Sequence, residues 1–366
     1  MPWRYLGTNL NDVWMDYLKD LKYLFAYTVP AITFFTLKFP EGWWSYGSVI
    51  YAFGVIPVLE IFVRSADEHL TESQIDTRKS QSFFDWLLYL NPFLVFALVG
   101  FGFYQWQTLE LSTAESIGMV LSLGVCLGTN GINVAHELGH RKSLFERSLA
   151  KALLLPSLYM HFYIEHNFGH HRTVATPDDP ASAPYGKSLY AFWISSVIGQ
   201  YRNAWRLQIQ LLKNQKRSFF SQYNDMLFYT LFQGCYLFAI YLGLGFSGVQ
   251  FAVAIGVVSF LLLETINYIE HYGLAREQKS SGRYERVLPH HSWNSNHLIG
   301  RIVLYELTRH SDHHFLASKK YQILENHTTS PQLPFGYPTA MLTATFPPLW
   351  FWIMNPKVPK EMKLMA

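Results

Sequence analysis

"VQFAVAIGVVSFLLLETINYIEHYGL", residues 249–274, is the stretch on which the fold turns. Between positions 249 and 270 its only charged side chains are Glu264 and Glu270. A helix rises about 1.5 Å per residue, so about 20 mostly apolar residues cross about 30 Å of hydrocarbon. Residues 249–270 are therefore predicted to span a membrane. The span runs straight into His271, which places an imidazole where the helix leaves the bilayer. Glu264 sits about two turns earlier, and a carboxylate at membrane depth reads as functional by default.

Five more windows have the same character: residues 21–39, 43–63, 83–104, 114–135 and 226–245. The composition agrees, since half of the 366 residues are apolar, 17% are aromatic and 15% are charged. Mean hydropathy is only +0.06 because apolar runs alternate with long charged ones. The links 40–42, 105–113 and 246–248 hold no Lys or Arg, whereas 64–79, 141–217 and the chain after Arg276 are rich in them. Cytoplasmic loops carry the Lys/Arg excess, so three hairpins are predicted to enter from the cytoplasm, with both termini left there. The expected fold is all-α: a bundle of six transmembrane helices forming one membrane-embedded domain over residues 1–366, with a cytoplasmic cap from 136–222 and 271–366. Trp43, Trp44 and Trp106 read as interface anchors. Residues 340–354, interrupted by Pro347-Pro348, are short for a span and are expected to lie at the interface or on the cap. Cys126 and Cys235, the two cysteines, fall in apolar runs and read as small core residues. No cleavable signal is evident in residues 1–22; a net charge of +3 says little by itself, and no nucleic-acid partner is expected.

Thirteen of the fifteen histidines lie between His136 and His314. Three groups have helical ligand spacing: His136 and His140 in "HELGH"; His166, His170 and His171 in "EHNFGHH"; His310, His313 and His314 in "RHSDHH". Side chains four apart share a helix face, so each group presents imidazoles together. His136 follows the fourth predicted span and His271 follows the sixth, which brings all of them to one side of the membrane. Catalytic zinc takes about three protein ligands and keeps an open position, so nine imidazoles favour two metal ions. The ligand type alone suits Fe, Cu, Zn or Ni. "HELGH" also fits H-E-x-x-H, the zinc-protease signature in which Glu137 would be the general base, and five letters cannot decide. A metal transporter is a further reading, but it would place ligands inside the spans rather than just beyond them.

Taken together, "HELGHRK", "EHNFGHHRTVATPDDPA", "NYIEHYGL" and "RHSDHHFLASKKYQ", with "GRYERVLPHHSWNSNHL" between the last two, resemble the integral-membrane alkane 1-monooxygenases. That is a non-haem di-iron family which hydroxylates terminal methyl groups. The resemblance runs from the first hairpin to about Pro359. It implies that His136, His140, His166, His170, His171, His271, His310, His313 and His314 are the ligands of two Fe ions. It makes the protease spacing of "HELGH" a coincidence, with Glu137 a supporting residue. Glu165, Glu270 and Asp312 flank ligand histidines and are expected to accept their outer N–H groups, as carboxylates beside metal-bound imidazoles do. His290, His291 and His297 read as supporting or core histidines, and His69 and His327 as ordinary surface residues.

The resemblance further implies O₂ as co-substrate, an n-alkane drawn from membrane lipid, and electrons from a rubredoxin reduced by an NAD(P)H-dependent reductase, at a bacterial-type plasma membrane. The chain itself has no G-x-G-x-x-G after a strand and no paired Cys clusters. Residues 51–56 are expected to line the substrate channel. Fatty-acyl desaturases or hydroxylases and xylene-type methyl monooxygenases use similar boxes and are the alternatives.

Overall fold

A computed structural model describes residues 18–63 and 70–363. His69 and the first 17 residues lie outside it. The described chain is helical, and its only β features are three isolated bridges, such as Leu274 with Lys363. Four helices are long and apolar enough to cross a membrane: α2 (Gly42–Phe62), α3 (Ser82–Thr108), α4 (Thr113–Gly139) and α7 (Asp225–His271). They are preceded by a 3-10 segment, Leu21–Tyr27, that continues into α1 (Thr28–Lys38).

The sequence separates residues 226–245 from 249–270, whereas the structure joins them in one 47-residue element. Gly245 has φ 66° and ψ −165°, so the axis breaks there and two legs result. A residue without Cβ adopts that φ at no steric cost. α4 is the central helix, with 72% of its apolar window buried against 22% for α2. Small residues set the approach: a Cβ on Gly124 would stand 2.4 Å from Val258 Cγ1, and one on Gly118 2.3 Å from Ser45 Oγ. Such contacts let helices pack closely where lipid offers no hydrophobic drive.

Backbone groups at membrane depth must be satisfied within the protein. Pro92 inside α3 frees the carbonyl of Leu88, and Asn91 Nδ2 donates to the carbonyls of Leu87 (2.7 Å) and Leu88 (3.4 Å). Asn130 of α4 donates to Asn91 Oδ1 at 2.8 Å, which fixes that amide. At the far ends of the helices, the Ser112 hydroxyl and Glu115 form a capping box. Glu115 Oε1 also accepts from Gly42 N at 2.8 Å, tying the start of α4 to the start of α2.

Residues 136–222 contain helices that the apolar windows passed over: α5 (Leu144–Leu154) and the 26-residue α6 (Leu189–Asn214). Only one stripe of α6 is buried, including Phe192, Ser196, Gln200 and Asn203. Residues 340–354 fold as two short helices, α8 (Tyr337–Ala344) and α9 (Pro347–Met354), parted at the expected prolines. Trp350 of α9 is buried against Tyr268 and Tyr272 at the end of α7. One expectation fails: Cys126 is buried, but Cys235 is exposed on the outward face of α7, because an apolar run facing lipid needs no core position.

Candidate metal centre

Two helix ends, one short helix and a π turn deliver all nine box histidines to a common region. α4 brings His136 and, at its cap, His140; α7 ends on His271; the helix His310–Phe315 carries three more. The box 166–171 departs from simple α spacing. His166–His170 is a π turn, in which bonds run from i to i+5, so His166 and His171 share a face and His170 turns away. The nine therefore divide into His136, His140, His166, His171 and His313 on one side, and His170, His271, His310 and His314 on the other. Within each group the ligating atoms all lie within 4.8 Å of one another.

In the first group the Nε2 atoms of His140, His166 and His171 are mutually 3.0, 3.2 and 3.0 Å apart, and His313 Nε2 is 3.1 Å from that of His171. In the second, His310 Nε2 stands 3.1 Å from His271 Nε2 and 2.8 Å from His314 Nε2. An imidazole directs each ring nitrogen along one line, so a triangle of three cannot be satisfied by N–H···N bonds along every edge. Metal–imidazole bonds of about 2.0–2.1 Å, meeting at right angles, put neighbouring nitrogens about 3.0 Å apart. His136 Nε2 and His170 Nε2 are buried with no hydrogen-bond partner among the described residues. Buried ring nitrogens converging in this way suit a bound metal ion, and the donor set fits iron.

Protonation agrees. Burial, then the neighbouring imidazoles, holds His166, His171, His310, His313 and His314 far below the usual imidazole range, and burial first brings His140 down to about 3. Neutral imidazole is the ligating form. His170 moves the other way: burial lowers it, but the Asp179 carboxylate on its Nδ1, at 2.9 Å, outweighs burial and raises it. Asp179 is held in turn by Ser182 Oγ, which donates at 2.6 Å. A carboxylate on the outer nitrogen fixes the tautomer with Nε2 free to ligate.

Asp179 was not among the carboxylates singled out in the sequence. Its signal was the Pro-bounded "PDDPA" turn nine residues after His170. Of those that were, Glu137 pairs with Arg141 at 2.8 Å and accepts from Tyr321 N, locking the end of α4. Glu165 accepts from Asn203 at 3.0 Å, and its Oε2 is buried beside the second group. Glu270 Oε2 stands 3.1 Å from His310 Nε2, the inward nitrogen rather than the outer one, while Oε1 accepts from Tyr337 at 2.7 Å. Asp312 touches no box imidazole; it pairs with Lys319 (2.7 Å) and His327 (2.8 Å). His327 is thus a half-buried partner of Asp312, not an ordinary surface residue, because the 319–327 loop folds back over the third box.

Glu264 lies deeper, accepting from Tyr159 (2.9 Å), Ser196 (2.6 Å) and Gln200 (2.7 and 2.8 Å), so it docks α6 on α7. His291 accepts from Leu288 N at Nδ1, which leaves its proton on Nε2 facing Glu285 at 3.0 Å. It has no lone pair for a metal, although Glu285 and His290 are near. His297 Nδ1 bonds the Ser295 hydroxyl at 2.9 Å.

The turn before His310 depends on charge. Tyr305 and Glu306 take φ of 50° and 59°, and buried Glu306 pairs with Arg301 at 2.7 Å and accepts from Tyr23 at 2.6 Å. Burial raises the Glu306 carboxyl, but Arg301 and Arg309 outweigh it and hold it down to about 2. Its contribution to stability is full above the ordinary Glu value of about 4.3 and is lost as pH falls towards 2. Glu306→Ala removes the carboxylate both guanidiniums share. It is expected to cost about 3–5 kcal/mol, read as a lower thermal midpoint in detergent.

An apolar cavity leads to this region. Ala52, Phe53 and Ile56 of α2, Val125 of α4 and Leu262 of α7 form part of its walls, and His136, His166, Glu270 and His310 meet its end. Ala52 and Phe53 sit on the π turn Tyr51–Val55. Of residues 51–56, Ala52, Phe53 and Ile56 line the cavity, while Tyr51 instead bonds Thr28.

Comparison with known proteins now decides the placement. The chain is 36% identical to alkane 1-monooxygenase 2 of Pseudomonas aeruginosa, over 96% of this chain and 95% of that protein. It belongs to the alkane 1-monooxygenase family. Another alkane 1-monooxygenase, from Ectopseudomonas oleovorans, is 38% identical over 86% of this chain and 78% of its own length. The xylene/toluene monooxygenase hydroxylase component of Pseudomonas putida is 29% identical over 77% and 76%. The fatty acid desaturase family model matches residues 114–342, which include all nine box histidines. The two-sided histidine centre is therefore that of an alkane 1-monooxygenase relative within the desaturase family.

Proposed function

We propose that this chain hydroxylates the terminal methyl group of n-alkanes, using O₂ at two irons. The observation that carries the reading is an apolar cavity ending against imidazoles of both histidine groups. His136, His140, His166, His171 and His313 would hold one iron, and His170, His271, His310 and His314 the other. Bound iron supplies the O₂ activation that no side chain provides.

The rest is the work of the protein. The cavity walls exclude water and align the chain so that one methyl group reaches the histidines, which is positional control by proximity. Asp179 holds His170 in its ligating tautomer. Glu270, held by Tyr337, is the carboxylate that meets the cavity end.

The segment 21–38 and the two legs of α7 raise the four long apolar helices to six spans. The positive-inside bias supports a plasma-membrane protein with both termini and the histidine cap in the cytoplasm. Cap and spans make one catalytic domain, since α4 and α7 belong to both. Electrons come from a rubredoxin and its NAD(P)H-dependent reductase.

Product analysis with octane, hexadecane and toluene tests the substrate. 1-Octanol and 1-hexadecanol are expected; benzyl alcohol as the dominant product would favour the xylene-type reading. Glu264→Leu strands the donors of Tyr159, Ser196 and Gln200 in the interior, at about 1–3 kcal/mol for each unsatisfied group. It is expected to lower both thermal stability and turnover, while Glu264→Gln keeps most of both. Unchanged turnover in a well-folded Leu variant would show that the docking contact is dispensable for activity.

A further inference from the structure

A second apolar groove lies on the outer side of the cavity wall. Phe53, Leu262 and Met341 line both. Beyond them the groove runs between α4, α6, α7 and α8, past Leu121, Trp193, Leu261 and Leu342. Leu342 is 46% exposed, so the groove opens outward where α8 crosses α7.

The polar side-chain groups along it are already bonded within the protein. Trp193 Nε1 donates to Thr265 Oγ1 at 3.1 Å, and Thr265 Oγ1 donates to the Leu261 carbonyl at 2.7 Å. Thr345 Oγ1 donates to the Leu342 carbonyl at 2.6 Å. The walls thus offer nothing to a lipid headgroup and suit a hydrocarbon with no polar end. The residues shared by cavity and groove include an unbranched Met, which adapts to irregular volumes at low cost.

We infer that this groove is the lateral doorway through which an unfunctionalised alkyl chain passes from the bilayer to the cavity, with Phe53, Leu262 and Met341 as its gate. The inference rests on the proposed alkane hydroxylation for its substrate and on continuity with the cavity for its place. The alkane crosses with no polar group to desolvate, so only the three gate side chains need to move.

The test uses Leu342→Cys in a Cys235→Ser background, which leaves buried Cys126 as the other thiol. The purified protein is alkylated with a bulky aromatic maleimide after folding, so misfolding does not enter. Labelling is expected to lower kcat/KM for hexadecane in nanodiscs by roughly tenfold or more, as blocking a gate does. The same label on Phe238→Cys, exposed on the other leg of α7, is expected to leave the rate unchanged. Full activity of the labelled Leu342→Cys protein would overturn the doorway. Independently of turnover, a diazirine-bearing alkane photolysed with unmodified protein is expected to label residues that line the groove and not the cavity, such as Trp193, Leu261 and Leu342; crosslinks confined to cavity residues would also overturn it. Loss of hydroxylation by the unmodified protein, with groove labelling intact, would count against the substrate reaction and not against the doorway.

Discussion

His313→Ala is expected to abolish hydroxylation and to empty the first histidine group while the second keeps its metal. His313 is the third box's contribution to the set of His136, His140, His166 and His171, and its Nε2 stands 3.1 Å from that of His171. The other four come from α4 and the 162–171 segment, so His313 ties the third box to that side. Its removal leaves a gap in a buried shell where no other side chain carries a lone pair to the same point. His170→Ala is the mirror experiment. It takes from the second group the imidazole that Asp179 orients, and the first group is expected to stay loaded. Metal analysis of the two purified variants should show about half the wild-type content in each, with activity down by a factor on the order of 10³ or more, as for loss of a group that acts as part of a unit. Full metal content in either variant would mean that the two groups do not bind separately.

The second large effect concerns electrons. Protein given NADH, O₂ and octane alone is expected to make no octanol, and to gain full turnover when rubredoxin and its reductase are added. Inserting one oxygen atom into a C–H bond and releasing the other as water consumes two electrons beyond those of the substrate. The chain has two cysteines, Cys126 and Cys235, on different helices, so it cannot assemble the four-thiolate site of a rubredoxin. His140 and His171 are the half-exposed members of the first group, and Lys142 and Arg172 beside them are exposed. Residues 141–217 hold eleven Lys or Arg against four Asp or Glu. A small acidic donor would be steered to that face, so turnover at limiting rubredoxin is expected to fall as salt rises while the kcat at saturating donor changes little. Octanol formed with NADH alone would contradict this account of the electron supply.

Much of the fold and of the candidate site was legible because each depends on local periodicity. Apolar windows located the long helices, and four-residue spacing located the histidines. Distribution between the two groups was not legible, since it depends on a π turn at His166–His170 that adds one residue to the turn and moves His171, not His170, into line with His166. α6 was missed because its apolar stripe is narrow and polar residues such as Gln200 and Asn203 are buried to bind Glu264 and Glu165. Asp179 and the Asp312–His327 pair depend on loops folding back over the boxes, and no residue period records such a return. Cys235 shows a further ambiguity: an apolar run does not say whether its side chains meet protein or lipid.

Each histidine group is expected to hold one iron. Elemental analysis of active, purified wild-type protein tests it most directly. Two irons per chain are expected, with loss of both metal and hydroxylation after chelation and recovery of both with Fe²⁺. A single zinc per chain and no iron in active protein would contradict it.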